Sequence, residues 1–222
     1  MKDELVIHNR PKSNISEDIR TIRTNLMFTS SDEESKVILV TSSVPGEGKS
    51  FISSNLAAAL AKTGESTLLI DSDLRLGRIH KIFGLSNTKG LSNLLIDQNI
   101  VDCAEYIKKT SIPNLYVIPR GTVPPNPSEL LNSTNTKKII AFLKQNFDHI
   151  IFDGVPINGL PDSLIMASLV DRVVIVTSVG YTKIDELNET KKALEKIDAN
   201  IAGIVINRTC QTKRGKYSNY YE

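Results

Sequence analysis

The 222-residue chain contains only two cysteines and no tryptophan, and aromatic residues make up 5% of it. Cys103 and Cys210 are too few for a disulfide framework and lack the spacing of a metal site, so they favour a reducing compartment. No apolar run approaches the length of a membrane span, and the first residues contain no signal-peptide core. We therefore expect a cytoplasmic protein.

The chain also has little net charge. The chain has 27 Lys and Arg against 25 Asp and Glu, which gives a formal charge of +2. That balance is too even to indicate a nucleic-acid partner. With 40% hydrophobic and 23% charged residues, the composition is typical of a folded globular domain.

Short apolar runs alternate with helical patterns through the middle of the chain. The runs lie at residues 37–41, 67–70, 115–118, 150–152, 173–176 and 201–206. One helical face is formed by Ile52, Leu56, Ala59 and Leu60, and Gly64 is its expected stop. Thr182 and Asp185 have the spacing of a capping box before a later helix. Alternating strands and helices predict an α/β fold with a doubly wound, mostly parallel sheet.

Three regions follow from this pattern. Residues 1–35 are predicted as a polar N-terminal extension with one amphipathic helix, residues 36–207 as the α/β domain, and residues 208–222 as a flexible tail. The tail contains Tyr217, Tyr220 and Tyr221 but no aliphatic residue after Thr212, so we expect it to be disordered in the monomer. A mobile tyrosine can enter an active site, whereas a core tyrosine cannot.

A glycine-rich loop at residues 43–50 separates the first predicted strand from the first helix. Gly46 and Gly48 allow the backbone to curl its N–H groups around an anion, and the helix adds its positive end. Lys49 is expected to contact the β- and γ-phosphates of a nucleotide, and the Ser50 hydroxyl to bind Mg²⁺. Ser43 stands where the usual motif has its first glycine. The predicted nucleotide-binding residues here are Pro45, Gly46, Glu47, Gly48, Lys49, Ser50 and Phe51.

Carboxylates end two other predicted strands. Asp153 follows the run at 150–152, and Asp71 and Asp73 follow the run at 67–70. The carboxyl ends of parallel strands face the ligand crevice, so these side chains are expected near the phosphates. We assign Ser50, Asp73 and Asp153 to the metal and Lys49, Asp71 and Asp73 to catalysis. Asp71 is the preferred general base, although Asp73 on the same turn is almost as good a candidate.

These segments together resemble the three Walker-type motifs of the bacterial tyrosine kinases (BY-kinases) of capsular and exopolysaccharide synthesis. The resemblance spans roughly residues 7–222. It includes the Glu17-x-x-Arg20-x-x-Arg23 pattern, which matches the family's oligomerisation motif, and the segment at 121–131, which contains Pro-Pro-Asn-Pro-Ser-Glu-Leu-Leu. The tail tyrosines are similar to the family's terminal tyrosine cluster.

The resemblance implies a P-loop NTPase fold related to the cell-division and partition ATPases. It further implies a kinase that uses ATP and Mg²⁺ to phosphorylate Tyr217, Tyr220 and Tyr221 of neighbouring subunits in a ring-like homo-oligomer. The implied partners are the cytoplasmic tail of a transmembrane polysaccharide co-polymerase, which activates the kinase at the inner face of the plasma membrane, and a cognate tyrosine phosphatase. Related ATPases use an Asn at the position of Asn207 to read adenine. Asn207 and Arg208 are therefore candidate nucleotide contacts, or simply a strand end.

Two alternatives remain at this point. One is a partition or septum-site ATPase switch. It is disfavoured because those ATPases typically have a second lysine in the loop, where this chain has Val44, and because they lack the tyrosine tail that this chain has. A catalytically weak, nucleotide-binding assembly subunit is the other. It rests on Asp153-Gly154-Val155-Pro156, where the family usually has Asp-x-Pro-Pro, and we expect the lost proline to make this segment more flexible.

Overall fold

A seven-stranded sheet forms the centre of the fold, with the strand order β3-β4-β2-β5-β1-β6-β7. The computed structural model describes residues 4–29, 36–97 and 100–209. The strands are β1 (Val37–Ser42), β2 (Thr67–Asp71), β3 (Lys108–Lys109), β4 (Leu115–Ile118), β5 (His149–Pro156), β6 (Arg172–Ser178) and β7 (Ile201–Asn207). Every neighbouring pair is parallel except β3 and β4. The expected fold is confirmed, and only the two-residue β3 was missed, because two lysines give no apolar signal.

Helices cover both faces of this sheet. They are α1 (Val6–Asn9), α2 (Asn14–Phe28), α3 (Lys49–Ala61), α4 (Ile79–Phe83), α5 (Leu91–Ile96), α6 (Pro127–Leu131), α7 (Thr134–Asn146), α8 (Asp162–Ala167) and α9 (Ile184–Glu195). A 3₁₀ helix occupies Ile100–Glu105. The helices α1 to α4 pack on one face, and α5 to α9 pack on the other.

Strand β1 shows why the predicted runs are continuously apolar. Val37 and Leu39 belong to the core beneath α7 and α8, whereas Ile38 and Val40 belong to the core beneath α3. All four side chains are at most 2% exposed. A central parallel strand buried on both faces needs apolar residues at every position, and this is the pattern that identified it.

The N-terminal segment packs into the same core as the α/β domain. The buried Asn55 on α3 accepts a hydrogen bond from the Ile7 N–H (3.0 Å) and donates to the Glu4 carbonyl oxygen (2.7 Å). Arg172 at the start of β6 donates to the carbonyl oxygen of Leu26 on α2 (2.6 Å). These contacts hold α1 and α2 on the outer side of α3.

Two local expectations need correction. The 4, 3, 4 spacing of Ile15, Ile19, Ile22 and Leu26 predicts an apolar stripe on α2. Ile15 is nevertheless 44% exposed, because Ser16 takes the inward position and donates its hydroxyl to the Arg10 carbonyl oxygen (2.7 Å). The capping box of α9 lies one residue later than expected. The Lys183 N–H donates to Glu186 (3.0 Å), and Thr182 makes a different contact, described below.

Candidate active site

The glycine-rich loop curls between β1 and α3 as the sequence predicts. Gly46 and Gly48 have φ values of 82° and 97°, in the left-handed region that favours glycine. A side chain on Gly48 would also collide with the amide group of Asn207. Neither position tolerates another residue without a change in the loop.

The inner side of this loop presents hydrogen-bond donors. The N–H groups of Gly46, Glu47 and Gly48 donate to no described residue, and α3 begins immediately after them at Lys49. Unpaired N–H groups next to a helix N-terminus form an anion-binding site, and triphosphate oxygens are suitable acceptors. The residues present therefore fit a nucleotide phosphate.

The outer side of the loop is held by residues from distant parts of the chain. Asn207 donates to the Glu47 carbonyl oxygen (2.9 Å), and Arg208 donates to the Gly46 carbonyl oxygen (2.8 Å). The Arg208 guanidinium also lies 5.7 Å from the centre of the Tyr181 ring. In this structure Asn207 and Arg208 contact the loop itself. Their assignment to a nucleobase remains a prediction.

Asp153 lies directly behind the loop, on β5. Its carboxylate accepts hydrogen bonds from the hydroxyls of Ser50 (2.7 Å) and Ser53 (3.0 Å). Burial raises the pKa of this carboxyl to about 6, while the Ser50 hydrogen bond and the nearby Lys49 ammonium oppose the shift. The Ser53 contact was missed by sequence reasoning, although its position three residues after Ser50 on α3 places both hydroxyls on one face.

Asp71 lies at the end of β2, paired in register with Asp153 on the neighbouring strand. Its side chain is fully buried, and one carboxylate oxygen accepts the Ile79 N–H (3.0 Å). The other oxygen has no hydrogen-bond partner among the residues that the structure describes. Burial, reinforced by the charge of Asp153, raises the pKa of Asp71 well above its ordinary value. The free oxygen and the raised pKa together suit a group that accepts a proton.

Asp73 is more accessible than the other two carboxylates. It accepts the backbone N–H groups of Arg75 (3.1 Å) and Leu76 (2.8 Å), which fixes the turn after β2. Its negative charge contributes to the raised pKa values of both Asp71 and Asp153. The structure therefore brings all three carboxylates to one edge of the sheet, beside Lys49 and Ser50.

This arrangement fits a magnesium–nucleotide complex better than a metal bound by protein alone. Among the described residues, no group of three or more His, Cys, Asp or Glu side chains is placed to hold a metal ion. Mg²⁺ commonly binds through one or two carboxylates together with phosphate oxygens and water. Hard oxygen donors of this kind are supplied here by Ser50 and the acidic cluster.

The turn after Asp73 is held by contacts of Arg75 with distant parts of the chain. Arg75 pairs with the buried Asp162 (3.1 Å) and donates to Ser128 (3.2 Å), and its carbonyl oxygen accepts from Arg120. These contacts join the turn to α6 and α8. No sequence pattern connects positions 75, 120, 128 and 162, so only the fold reveals the cluster.

The segment 153–156, for which we expect greater flexibility, is a paired strand in this structure. Strand β5 continues through Pro156, and the Val155 carbonyl oxygen accepts the hydroxyls of Thr41 (2.7 Å) and Ser163 (2.6 Å). Gly154 lies so close to Ser163 and Leu39 that a side chain there would collide with both. Strand pairing and hydroxyl contacts therefore hold this segment in place, and the effect of the lost proline on its flexibility stays a prediction.

The predicted oligomerisation residues lie on α2. Glu17 and Arg20 form an ion pair with each other, and Arg20 also donates to the Pro11 carbonyl oxygen (2.7 Å). Arg23 donates to the Ala59 carbonyl oxygen (3.2 Å) on α3. Next to Arg23, Met27 and Phe28 are 45% and 83% exposed.

The predicted phosphoacceptors Tyr217, Tyr220 and Tyr221 lie outside the described residues. The last described residue, Thr209, follows Arg208 at the phosphate loop. In the described parts of the chain, no helix combines the length and apolar character needed to cross a bilayer.

Comparison with known proteins identifies the family of this chain. A family model described as an AAA domain matches residues 35–206. The chain is 38% identical to the putative tyrosine-protein kinase CapB of Staphylococcus aureus over 98% of this chain and 94% of that protein. It is 36% identical to the tyrosine-protein kinase YwqD of Bacillus subtilis over 99% and 92%.

Solved structures give the same picture. The chimerical protein CapA2B2 matches with a TM-score of 0.88 and 38% identity, over 93% of this chain and 90% of that one. The cell division ATPase MinD of Pyrococcus furiosus matches with a TM-score of 0.67 and 25% identity, over 81% and 75%. The fold is thus that of the P-loop ATPases, and the chain belongs to the family of bacterial tyrosine-protein kinases.

Proposed function

We propose that this chain is an ATP-dependent protein-tyrosine autokinase that regulates capsular or exopolysaccharide synthesis and export. The observation that carries the proposal is the convergence of Asp71, Asp73 and Asp153 beside the donor-lined phosphate loop, in a chain whose relatives are named tyrosine-protein kinases. Phosphoryl transfer requires positioning and charge stabilisation above all, and this site supplies both.

In the proposed mechanism, the loop N–H groups and Lys49 hold the β- and γ-phosphates of ATP. Mg²⁺, held by Ser50, Asp73 and Asp153, would neutralise charge on the phosphate oxygens. The tyrosine oxygen attacks the γ-phosphorus as the bond to the β,γ-bridging oxygen breaks and ADP departs. The phenol has an ordinary pKa of about 10, so its proton needs an acceptor, which we assign to Asp71.

We propose that the acceptors are Tyr217, Tyr220 and Tyr221 of a neighbouring subunit. The exposed end of α2, with Met27 and Phe28, offers an apolar surface for the contact between subunits in a ring. The cytoplasmic tail of a membrane-embedded polysaccharide co-polymerase would bind this assembly, activate it and hold it at the inner face of the membrane. A cognate tyrosine phosphatase would reverse the modification.

A complementation experiment tests transfer between subunits. Lys49→Met retains the tail but should lose transfer, whereas the chain with Tyr217, Tyr220 and Tyr221 changed to Phe retains the site but lacks acceptors. With MgATP and the activator's cytoplasmic segment, we expect phosphotyrosine on the Lys49→Met chain only after the two are mixed. ATP hydrolysis without any labelling of the mixture would instead favour the assembly-subunit function.

A further inference from the structure

Glu47 is an unexpected residue in a loop that binds anions. Its side chain is completely buried, and a buried carboxylate is unfavourable unless its oxygens are hydrogen bonded. One oxygen accepts the Val44 N–H (2.8 Å) from the same loop. The other accepts the hydroxyl of Thr182, which lies between β6 and α9 and is 135 residues away in sequence. The loop therefore depends on a distant residue to accommodate its own negative charge.

Thr182 is itself held in a fixed orientation. Its hydroxyl oxygen accepts the Ser178 N–H (3.0 Å), and its own N–H donates to the Ser178 carbonyl oxygen (3.1 Å). Because the hydroxyl oxygen already accepts one hydrogen bond, its hydrogen is available for Glu47. The turn at the end of β6 thus directs one donor at the phosphate loop.

The position of the Glu47 carboxylate matters because of what lies on the opposite side of the loop. The carbonyl oxygens of Gly46 and Glu47 are bound by Arg208 and Asn207, whereas the nearby N–H groups have no partner among the described residues. A carboxylate released from Thr182 would be an anion within a few bonds of these free donors. It would then compete with phosphate for them.

We propose that Thr182 and Glu47 form a latch, defined here as the Thr182 hydroxyl and the Glu47 carboxylate that it binds, which keeps this carboxylate away from the phosphate-binding N–H groups. Thr182 is then a positioning residue of the nucleotide site, contributed by the β6–α9 connection. This inference deepens the proposed function and rests on it only in taking the ligand to be an adenine nucleotide.

The latch predicts a specific dependence between two substitutions. Thr182→Val removes the hydroxyl with little change in shape. It should weaken nucleotide binding by about 10-fold, which corresponds to the loss of one hydrogen bond to a charged group. In a Glu47→Gln background no charged competitor exists, so the same Thr182→Val change should cost less than about 3-fold. A merely structural role for Thr182 would give the same cost in both backgrounds.

The test uses the full-length chain and a fluorescent ADP analogue with Mg²⁺, titrated to obtain Kd for each variant. Thr182→Ser, which restores the hydroxyl, should recover wild-type affinity. Thr190→Val is the matched control, because Thr190 is a buried threonine on α9 whose hydroxyl donates to Asn158 (3.1 Å) and not to Glu47. Its Kd should stay within about 2-fold of wild type, and melting curves verify that every variant is folded.

The same variants give a kinetic readout. Thr182→Val should raise the KM for ATP in tyrosine labelling by the factor seen in Kd, while kcat at saturating ATP changes by less than about 2-fold. Unchanged affinity in Thr182→Val, or an equal loss in the Glu47→Gln background, would overturn the latch. Wild-type protein that binds the analogue but never labels tyrosine would overturn the proposed function and leave the latch standing.

Discussion

At the level of a single residue, the burial of Asp153 has a measurable effect on stability. Its pKa is raised to about 6 in the folded chain from an ordinary value of 3.8, so the folded state holds this proton more tightly than the unfolded state does. Stability contributed by the protonated carboxyl is present at low pH and is lost as the pH rises from about 4 through about 6. Above that range the ionised, buried carboxylate opposes folding of the metal-free protein.

The Asp153→Asn substitution tests this. Without Mg²⁺ or nucleotide, we expect the wild type to lose stability relative to the variant between about pH 4 and pH 6, as measured by urea denaturation of both proteins. Asp148→Asn is a control of opposite sign, because hydrogen bonds from Ser66 lower the pKa of Asp148. A wild-type advantage over Asp153→Asn that grows with pH would contradict the assignment.

Gly77 is the residue that allows the turn after β2 to approach Asp71. A methyl group built on it would collide with the Asp71 carboxylate and lie 2.5 Å from the Asp73 carbonyl oxygen. Gly77→Ala should therefore displace the acidic turn and lower kcat for tyrosine labelling by about 100-fold or more, with the fold retained. Leu76→Ala in the same turn is the control, because Leu76 is 82% exposed and its loss should change kcat by less than about 2-fold. Equal activity of both variants would show that the turn has no role in transfer.

The roles of Asp71 and Asp73 separate in a magnesium titration. Loss of a metal ligand raises the Mg²⁺ concentration needed for half-maximal labelling, whereas loss of the base lowers kcat at every Mg²⁺ concentration. We expect Asp73→Asn to show the first effect and Asp71→Asn the second, since Asp71 carries the raised pKa and the free oxygen. The opposite pattern would exchange the two assignments.

At the level of an element, helix α2 is fixed by a few inward residues. Ile19 is 2% exposed and packs in the core with α3, whereas Ile15 is 44% exposed. Ile19→Ala should lower the free energy of unfolding by about 2–4 kcal/mol, and Ile15→Ala by less than about 1 kcal/mol. Chemical denaturation of the two variants measures this. Similar losses would mean that α2 packs with a different face.

The elements also show what a sequence can and cannot predict. Five strands (β1, β2, β4, β5 and β6) were predictable because both of their faces are largely buried. Strand β7 was predictable because its run is apolar, although Ile204 and Ile206 are exposed. The phosphate loop was predictable because its glycines and lysine are close together in sequence. Contacts between distant positions were not. The contact of Ser53 with Asp153 was missed, although Ser53 lies on the same helix face as Ser50. Thr182 was predicted to cap α9 because its spacing from Asp185 fits a capping box, whereas its hydroxyl binds Glu47 instead.

At the scale of the whole molecule, the end of the α/β domain lies next to the phosphate loop. Strand β7 ends at Asn207, Arg208 binds the phosphate loop, and the tyrosine-bearing tail follows directly. The described part of the chain therefore ends beside the phosphate loop, on the side from which the sequence continues to the proposed acceptors. The sequence predicted the tail from its composition, but only the fold shows that it begins beside the nucleotide loop.

Intact-mass spectrometry of the wild-type chain after incubation with MgATP and the activator's cytoplasmic segment tests the central claim most directly. The account predicts the addition of up to three phosphates, located by fragmentation on Tyr217, Tyr220 and Tyr221 and absent from Lys49→Met. Consumption of ATP with no change in the mass of the chain would contradict it.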